Sequence, residues 1–401
     1  MILSFISGSN YYKFGDNILK NDREKYSNIV AIMFCILIGV ILMLNLIVKD
    51  KKFSPEENRM LQMEPEFKMS HYLDGRLENE IEAYFNDQFF ARKGAVRVKT
   101  AFDVSMGVLE ANGVIKCKDN YLMETLNSPN MEYVNNSLDA IKEFKNRYQN
   151  LDMSFILAPN TANILEEKLP ASVTLNDQNQ YMDDFFSKVE KIGVKVIDVR
   201  EPLRKAKKKQ QIYYRTDHHW TTNGAYAAYE KIANELGMSS KVKYNPVVVK
   251  NDFIGTLSSK SGFTSGKYDS INIFLPKEKS GYVNSLIYYP ETKEKTTNFY
   301  RLKNLKKKDA YTVFGGSNHP VYKVETPVKS NKKLLLIKDS YANSIIPFLS
   351  QDYRKIVIVD PRYYYDDIDD LIASEEITDV MFFYNANTFF EDNSLSLMLS
   401  K

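Results

Sequence analysis

The longest uninterrupted apolar run in the chain, Ile29 to Val48, contains no charged residue. It matches the ~20 residues that carry a helix across a bilayer. Residues 1–28 ahead of it form a short N-terminal segment, and residues 29–48 are expected to be a transmembrane helix. A cleaved leader fits poorly, because Lys49-Asp50-Lys51-Lys52 follows the run without a small-residue cleavage site. Residues 49–70 are polar, carry Pro55 and Pro65 and include Glu57-Asn58-Arg59, the pattern of a stalk.

Beyond the stalk the periodicity changes to that of a folded body, residues 71–401. From Tyr72 to Val108 the apolar positions Leu77, Ile81, Tyr84, Phe85 and Phe89 follow helical spacing. A short strand pair is expected over 113–122, turning at Asp119-Asn120. Strand and helix patterns then alternate. Strands are predicted over 153–158, 194–199, 333–337, 355–359 and 379–383, with helices over 178–192 and 222–236 and a helical bridge over 341–349. Thr222 is the expected N-cap of the second of those helices, and Ala225, Tyr226, Tyr229 and Ile232 its inner face. This order predicts an α/β fold with a mainly parallel sheet flanked by helices. Residues 241–332 break the rhythm: Gly255, Gly262, Gly266 and Gly281 interrupt them and no long helical pattern survives. They are expected to form an irregular, strand-containing insertion that walls the site.

Composition narrows the class. The 401 residues are 44% hydrophobic and 26% charged, which suits a globular body. With 54 basic against 51 acidic residues, no strong field selects nucleic acid as a partner. The lysine clusters at 207–209 and 306–308 read as solvated faces. Cys35 in the apolar run and Cys117 in the body form no disulfide framework. Lys13, Lys20, Arg23 and Lys25 before the span nearly balance Lys49, Lys51, Lys52 and Arg59 after it, so charge leaves the orientation open.

The candidate chemistry lies in Arg215-Thr216-Asp217-His218-His219-Trp220, which holds two of the four histidines and the single Trp. A carboxylate beside an imidazole is the base half of a nucleophilic triad. In an extended segment Asp217 and His219 share one face while His218 turns away, so His218 and Trp220 are assigned to holding the loop. Ser340 is the matching nucleophile, since Lys338-Asp339-Ser340-Tyr341 ends an apolar strand where α/β sheets build their crevices. Its plain alternative is a helix N-cap. Asn318 and Asn160 are candidate oxyanion donors, and Arg215 and Tyr341 candidate substrate contacts. No metal is expected, because Asp217, His218, His219 and His319 lack metal-ligand spacing, and no cofactor is implied.

These segments, with Tyr214 to Ala225, Lys338 to Ser344, Asp360-Pro361-Arg362-Tyr363 and Glu57-Asn58-Arg59, resemble the bacterial DHHW proteins, named for the tetrapeptide at 217–220. More distantly they are similar to the alginate O-acetyltransferases of the SGNH-hydrolase-like superfamily. The resemblance implies an SGNH-hydrolase-like fold with the roles of nucleophile, base and orienter on Ser340, His219 and Asp217. It implies a single-pass protein of the cell membrane, its catalytic domain extracytoplasmic. Such a protein moves acetyl groups onto polysaccharide beside a membrane-bound O-acyltransferase that supplies them. No separate carbohydrate-binding module is visible. With water as the acceptor the same residues make a carbohydrate esterase, and a non-catalytic scaffold of an envelope polysaccharide assembly is a third reading.

Overall fold

The structure, a computed structural model of the chain, describes residues 9–54, 59–278 and 282–400. Residues 1–8 of the N-terminal segment, Pro55 and Glu57-Asn58 of the stalk, and Gly281 lie outside the described residues. The described chain forms two compact units, residues 9–54 with 59–95, and residues 96–278 with 282–400.

In the first unit a helix runs from Ser9 to Ile47. Its part Lys25–Ile47 contains an 18-residue window of mean hydropathy 3.0 and is long and apolar enough to cross a membrane. At 1.5 Å per residue that part spans about 34 Å against a hydrocarbon core of about 30 Å. The amphipathic stretch that follows is divided into the helices Met69–Leu73 and Arg76–Gln88, with Arg92–Ser105 after them. Gly75 at φ 75° makes the first break, a left-handed position that costs glycine no Cβ clash.

The second unit is built on an eight-stranded sheet. Its strands are β1 Asp152–Ala158, β2 Lys195–Val196, β3 Leu286–Tyr289, β4 Glu294–Thr296, β5 Val321–Glu325, β6 Lys333–Lys338, β7 Lys355–Val359 and β8 Asp379–Asn385. In space they lie in the order β4-β3-β5-β7-β6-β8-β1-β2. The pairs from β7 through β6, β8 and β1 to β2 are parallel; those joining β4, β3, β5 and β7 are antiparallel. The region expected to be an irregular insertion therefore supplies the antiparallel edge of the main sheet. It also contains the hairpin of Tyr244–Phe253 with Asp269–Pro276. Its short strands of mixed Tyr, Lys and Glu carry no sustained alternation, which hides them in the sequence.

The central strands are apolar throughout because both faces are covered. Leu334 and Leu336 of β6 enter one core with Ile156, Ile356, Ile358 and Met381, while Leu335 and Ile337 enter the other with Phe155, Val357 and Phe382. Helix Thr222–Glu235 covers the first face through Ala225, Ala228 and Ile232. Helices Met131–Arg147 and Gln178–Ile192 cover the second through Phe144, Met182 and Phe185. The cap of helix Thr222–Glu235 is Thr221, one residue before the expected Thr222, and its Oγ1 accepts the Gly224 N–H at 3.4 Å. The predicted strand at 194–199 pairs only over Lys195–Val196, after which the chain leaves the sheet edge. The turn at Asp119-Asn120 lies as expected between paired strands, Val114–Lys116 and Leu122–Glu124.

Phe155 is fully buried, stacks on Phe382 at 5.5 Å and meets Phe185 and Phe389 edge-on at 5.0 and 5.2 Å. Phe155→Ala is expected to destabilise this unit by about 3–5 kcal/mol. Tyr365→Ala, at an 89% exposed position, should stay within about 0.5 kcal/mol. Denaturant titration of both variants beside the parent checks the contrast.

Candidate active site

The segment 213–220 is not extended. Tyr213 bridges Trp220 in antiparallel register, so residues 214–219 form a closed loop. A loop turned inward must satisfy its own N–H groups. The carboxylate of Asp269, fully buried, does this: it accepts from the Arg215 N–H at 2.8 Å, the Thr216 N–H at 2.9 Å and the Thr216 hydroxyl at 2.8 Å. The chain after the hairpin closes over the loop at Gly255, whose N–H donates to Thr216 Oγ1 at 2.9 Å. A Cβ at Gly255 would lie 2.3 Å from that of Asp217, so only glycine permits this approach.

That closure delivers Thr256 to Asp217. Asp217 Oδ2 accepts the Thr256 N–H at 3.0 Å and its hydroxyl at 3.1 Å, while Oδ1 accepts the His219 N–H at 3.1 Å and faces His219 Nδ1 at 2.6 Å. His219 Nε2 lies 2.8 Å from Ser340 Oγ, within the reach of roughly 2.6–3.2 Å that proton transfer needs. The imidazole stacks on Tyr311 at 3.6 Å and 9°, and the Tyr311 hydroxyl donates to the Ser340 carbonyl at 3.3 Å.

Ser340 follows β6 and opens a short 3-10 turn, Ser340–Ser344. The turn's cap is Asp339, whose Oδ1 accepts the Tyr341 N–H at 2.9 Å, so the serine hydroxyl is not consumed as a cap. Asp339 Oδ2 accepts the Asn385 N–H at 2.7 Å, tying the turn to the end of β8. Trp220, fully buried, donates its indole N–H to the Tyr341 carbonyl and Ser344 Oγ, both at 3.1 Å, and so pins the histidine loop to the serine turn.

Burial works against the charge of Asp217, but the two adjacent imidazoles and the Thr256 N–H outweigh it and hold the carboxyl well below its usual range. Burial, then His218, lowers His219 to about 4 against the opposing pull of Asp217. At neutral pH the imidazole is therefore an unprotonated base facing a hydroxyl beside an ionised orienter. Such an arrangement can activate a serine for acyl transfer.

The other candidates are placed as follows. Tyr341 is buried and its hydroxyl donates to the His218 carbonyl. Arg215 lies 5.4 Å over the Tyr121 ring and donates to Gln211 Oε1 at 2.6 Å. Asn160 stitches the end of β1 to that of β8: its Oδ1 accepts from Gln178 Nε2 at 2.9 Å and from the Asn387 N–H at 3.1 Å. Asn318 is exposed and donates to the Tyr363 hydroxyl at 3.1 Å. His319 faces Glu291, apart from the loop. Asp217, His218 and His219 present ligand atoms within 4.8 Å of one another, the grouping among the described residues able to hold a metal ion. The expectation that His218 turns away fails, because the loop is bent: its ring stands 3.9 Å from that of His219. Sequence reasoning missed Gly255, Thr256, Asp269 and Tyr311; only Gly255 left a trace, as a glycine in a region without helical pattern.

Comparison with known proteins bears out the resemblance read from the sequence. Residues 121–253, which include Asp217 and His219, match the family model of the SGNH hydrolase-like domain of the acetyltransferase AlgX. That match covers about a third of the chain and shows its similarity to the SGNH hydrolase-like domain. A solved DHHW family protein from Eubacterium siraeum superposes with TM-score 0.58 at 21% identity, covering 72% of this chain and 95% of its own. PatB1 of Bacillus cereus gives 0.57 at 22% identity, with 70% and 98% covered. Among curated relatives, the probable alginate O-acetylase AlgJ of Pseudomonas syringae is 21% identical over 204 residues, 48% of this chain and 51% of that protein. The Pseudomonas putida AlgJ is 21% identical over 236 residues, 56% and 57% respectively. The chain thus spans about half the length of the curated relatives it matches.

Two outcomes follow from the geometry. An NMR titration of labelled histidine should show His219 protonating with a midpoint of about 4. Between its ordinary 6.5 and that value the unfolded chain takes up the proton and the folded chain does not, so stability falls as pH drops through this window. Gly255→Ala should destabilise by about 1–3 kcal/mol through overpacking against Asp217, read as a lower denaturant midpoint.

Proposed function

We propose that the chain is a membrane-anchored O-acetyltransferase that moves an acetyl group onto a cell-surface or exported polysaccharide through an acyl-Ser340 intermediate. The observation that carries this reading is the continuous line from Asp217 Oδ1 through His219 to Ser340 Oγ, at 2.6 and 2.8 Å. His219 takes the Ser340 proton as Oγ attacks the acyl carbonyl, and Asp217 holds the imidazole tautomer and the imidazolium that forms. The oxyanion falls to the Ser340 N–H, which no described group accepts, at the start of the turn. Asn160 and Asn318, engaged elsewhere, line the same end of the sheet.

In the second half of the reaction His219 deprotonates a sugar hydroxyl, which takes the acyl group and releases Ser340. The AlgX-type domain and the AlgJ relatives support an acetyl group and a polysaccharide acceptor. The apolar helix Lys25–Ile47 supports a bilayer anchor. The body then stands on the extracytoplasmic side, supplied with acyl groups by a membrane-bound O-acyltransferase.

The test is peptide mapping by mass spectrometry after the full chain, in detergent, meets an activated acetyl ester. Ser340 should carry the acetyl group, and Ser340→Ala should lose both adduct and acetate release, by on the order of 10⁶-fold where a triad serine is removed. Acetate release unchanged by Ser340→Ala removes the assignment. Acetate released with no ester found on added polysaccharide turns the reading to an esterase.

A further inference from the structure

The triad mechanism leaves His218 without a task, although it is the more open of the two imidazoles: its side chain is 29% exposed against 7% for His219. The rings stand 3.9 Å apart with 36° between their planes. Their Nδ1 atoms face the same carboxylate oxygen, Asp217 Oδ1, at 2.6 Å for His219 and 3.8 Å for His218. With the two rings adjacent and both Nδ1 atoms turned to Asp217, the other nitrogen of His218, Nε2, lies beside the ring that meets Ser340.

The tautomer of His218 follows from counting protons at Thr256. The Thr256 hydroxyl has one proton, and Asp217 Oδ2, 3.1 Å away, can only accept it. His218 Nδ1, 3.1 Å from the same oxygen, must then be the donor. Neutral His218 thus carries its proton on Nδ1 and a free lone pair on Nε2, which has no partner among the described residues. The backbone beneath is fixed, since the His218 carbonyl accepts from the buried Tyr341 hydroxyl.

We propose that His218 selects the acyl acceptor: its Nε2 accepts a hydrogen bond from a hydroxyl adjacent to the one that takes the acetyl group. The site is then built for a vicinal diol, the arrangement a sugar ring presents. The inference rests on the acyl-Ser340 reading above. In the transfer step the bond from the acyl carbon to Ser340 Oγ breaks and a bond to the acceptor oxygen forms. The acceptor's proton passes through His219 Nε2 to Ser340 Oγ; His218 gains and loses no proton.

Acetylated full chain in detergent, offered equal concentrations of cis-1,2-cyclohexanediol and cyclohexanol, tests this through the ratio of the two monoacetates per hydroxyl. That ratio is internal to each sample and independent of how much protein is folded. The parent should favour the diol about fivefold, the discrimination of one hydrogen bond to a neutral acceptor. His218→Asn keeps a donor for Thr256 but lacks Nε2, and its ratio should fall to one. His218→Gln, whose amide reaches the Nε2 position, should recover part of the preference. A parent without diol preference, a preference that survives in His218→Asn, or an acetyl-Ser340 that passes only to water overturns the inference and leaves the nucleophile standing. A parent with no acetyl on Ser340 overturns the inference and the acyltransferase reading together.

Discussion

The site depends on buried carboxylates that are never left unpaired. Asp217 and Asp269 are both within 1% of full burial, and an isolated carboxylate there would cost several kcal/mol. Each is instead surrounded by donors fixed by backbone geometry. Asp269 gathers the N–H groups of Arg215 and Thr216 and so folds the loop. Asp217 gathers the His219 imidazole and the amide and hydroxyl of Thr256, and so orients that ring. Remove the first carboxylate and the loop's inward N–H groups lose their acceptor; the second then has no fixed position from which to hold His219.

The same rule governs the ground beneath Ser340. Lys338 at the end of β6 is 2% exposed, and burial pushes its ammonium group down while Asp360, 3.7 Å away, pulls it up. Asp360 also receives Arg362 at 2.8 and 2.7 Å. Asp339, raised by burial, is offset by the Asn385 and Tyr341 N–H groups. Positive and negative groups thus alternate along the carboxyl ends of β6 and β7. The serine turn beside these pairs is held by the Asp339 and Trp220 hydrogen bonds, with Ser340 at no left-handed angle.

How much of this was legible follows from where the information lies. Asp217, His219 and Ser340 announce themselves because scarce residue types cluster and because an apolar strand stops abruptly at a polar turn. The central strands β1, β6, β7 and β8 are equally plain, since burial on both faces demands an unbroken apolar run. Asp269 and Tyr311 were invisible: one is an acid among many and one a tyrosine among 27, and their meaning is created by contacts across the fold. The antiparallel edge was hidden for a related reason, its short strands being half-exposed and without strict alternation. His218 was misjudged because two-residue alternation was applied to a segment that a distant carboxylate bends.

That bend also explains how two adjacent histidines acquire different chemistry. In a strand they would point to opposite faces and meet unrelated surroundings. Here the loop turns them onto one carboxylate, yet burial divides them: the inner ring sits between His218 and Tyr311 and is held near 4, while the outer ring is partly exposed. A base held so low is intrinsically weak, which sets a cost on each proton it removes. The cost is offset by the ionised Asp217, whose stabilisation of the imidazolium grows as the site loses water. On the acyl-transfer reading proposed above, an acceptor that covers the outer ring and excludes water would strengthen that pull when the second proton moves.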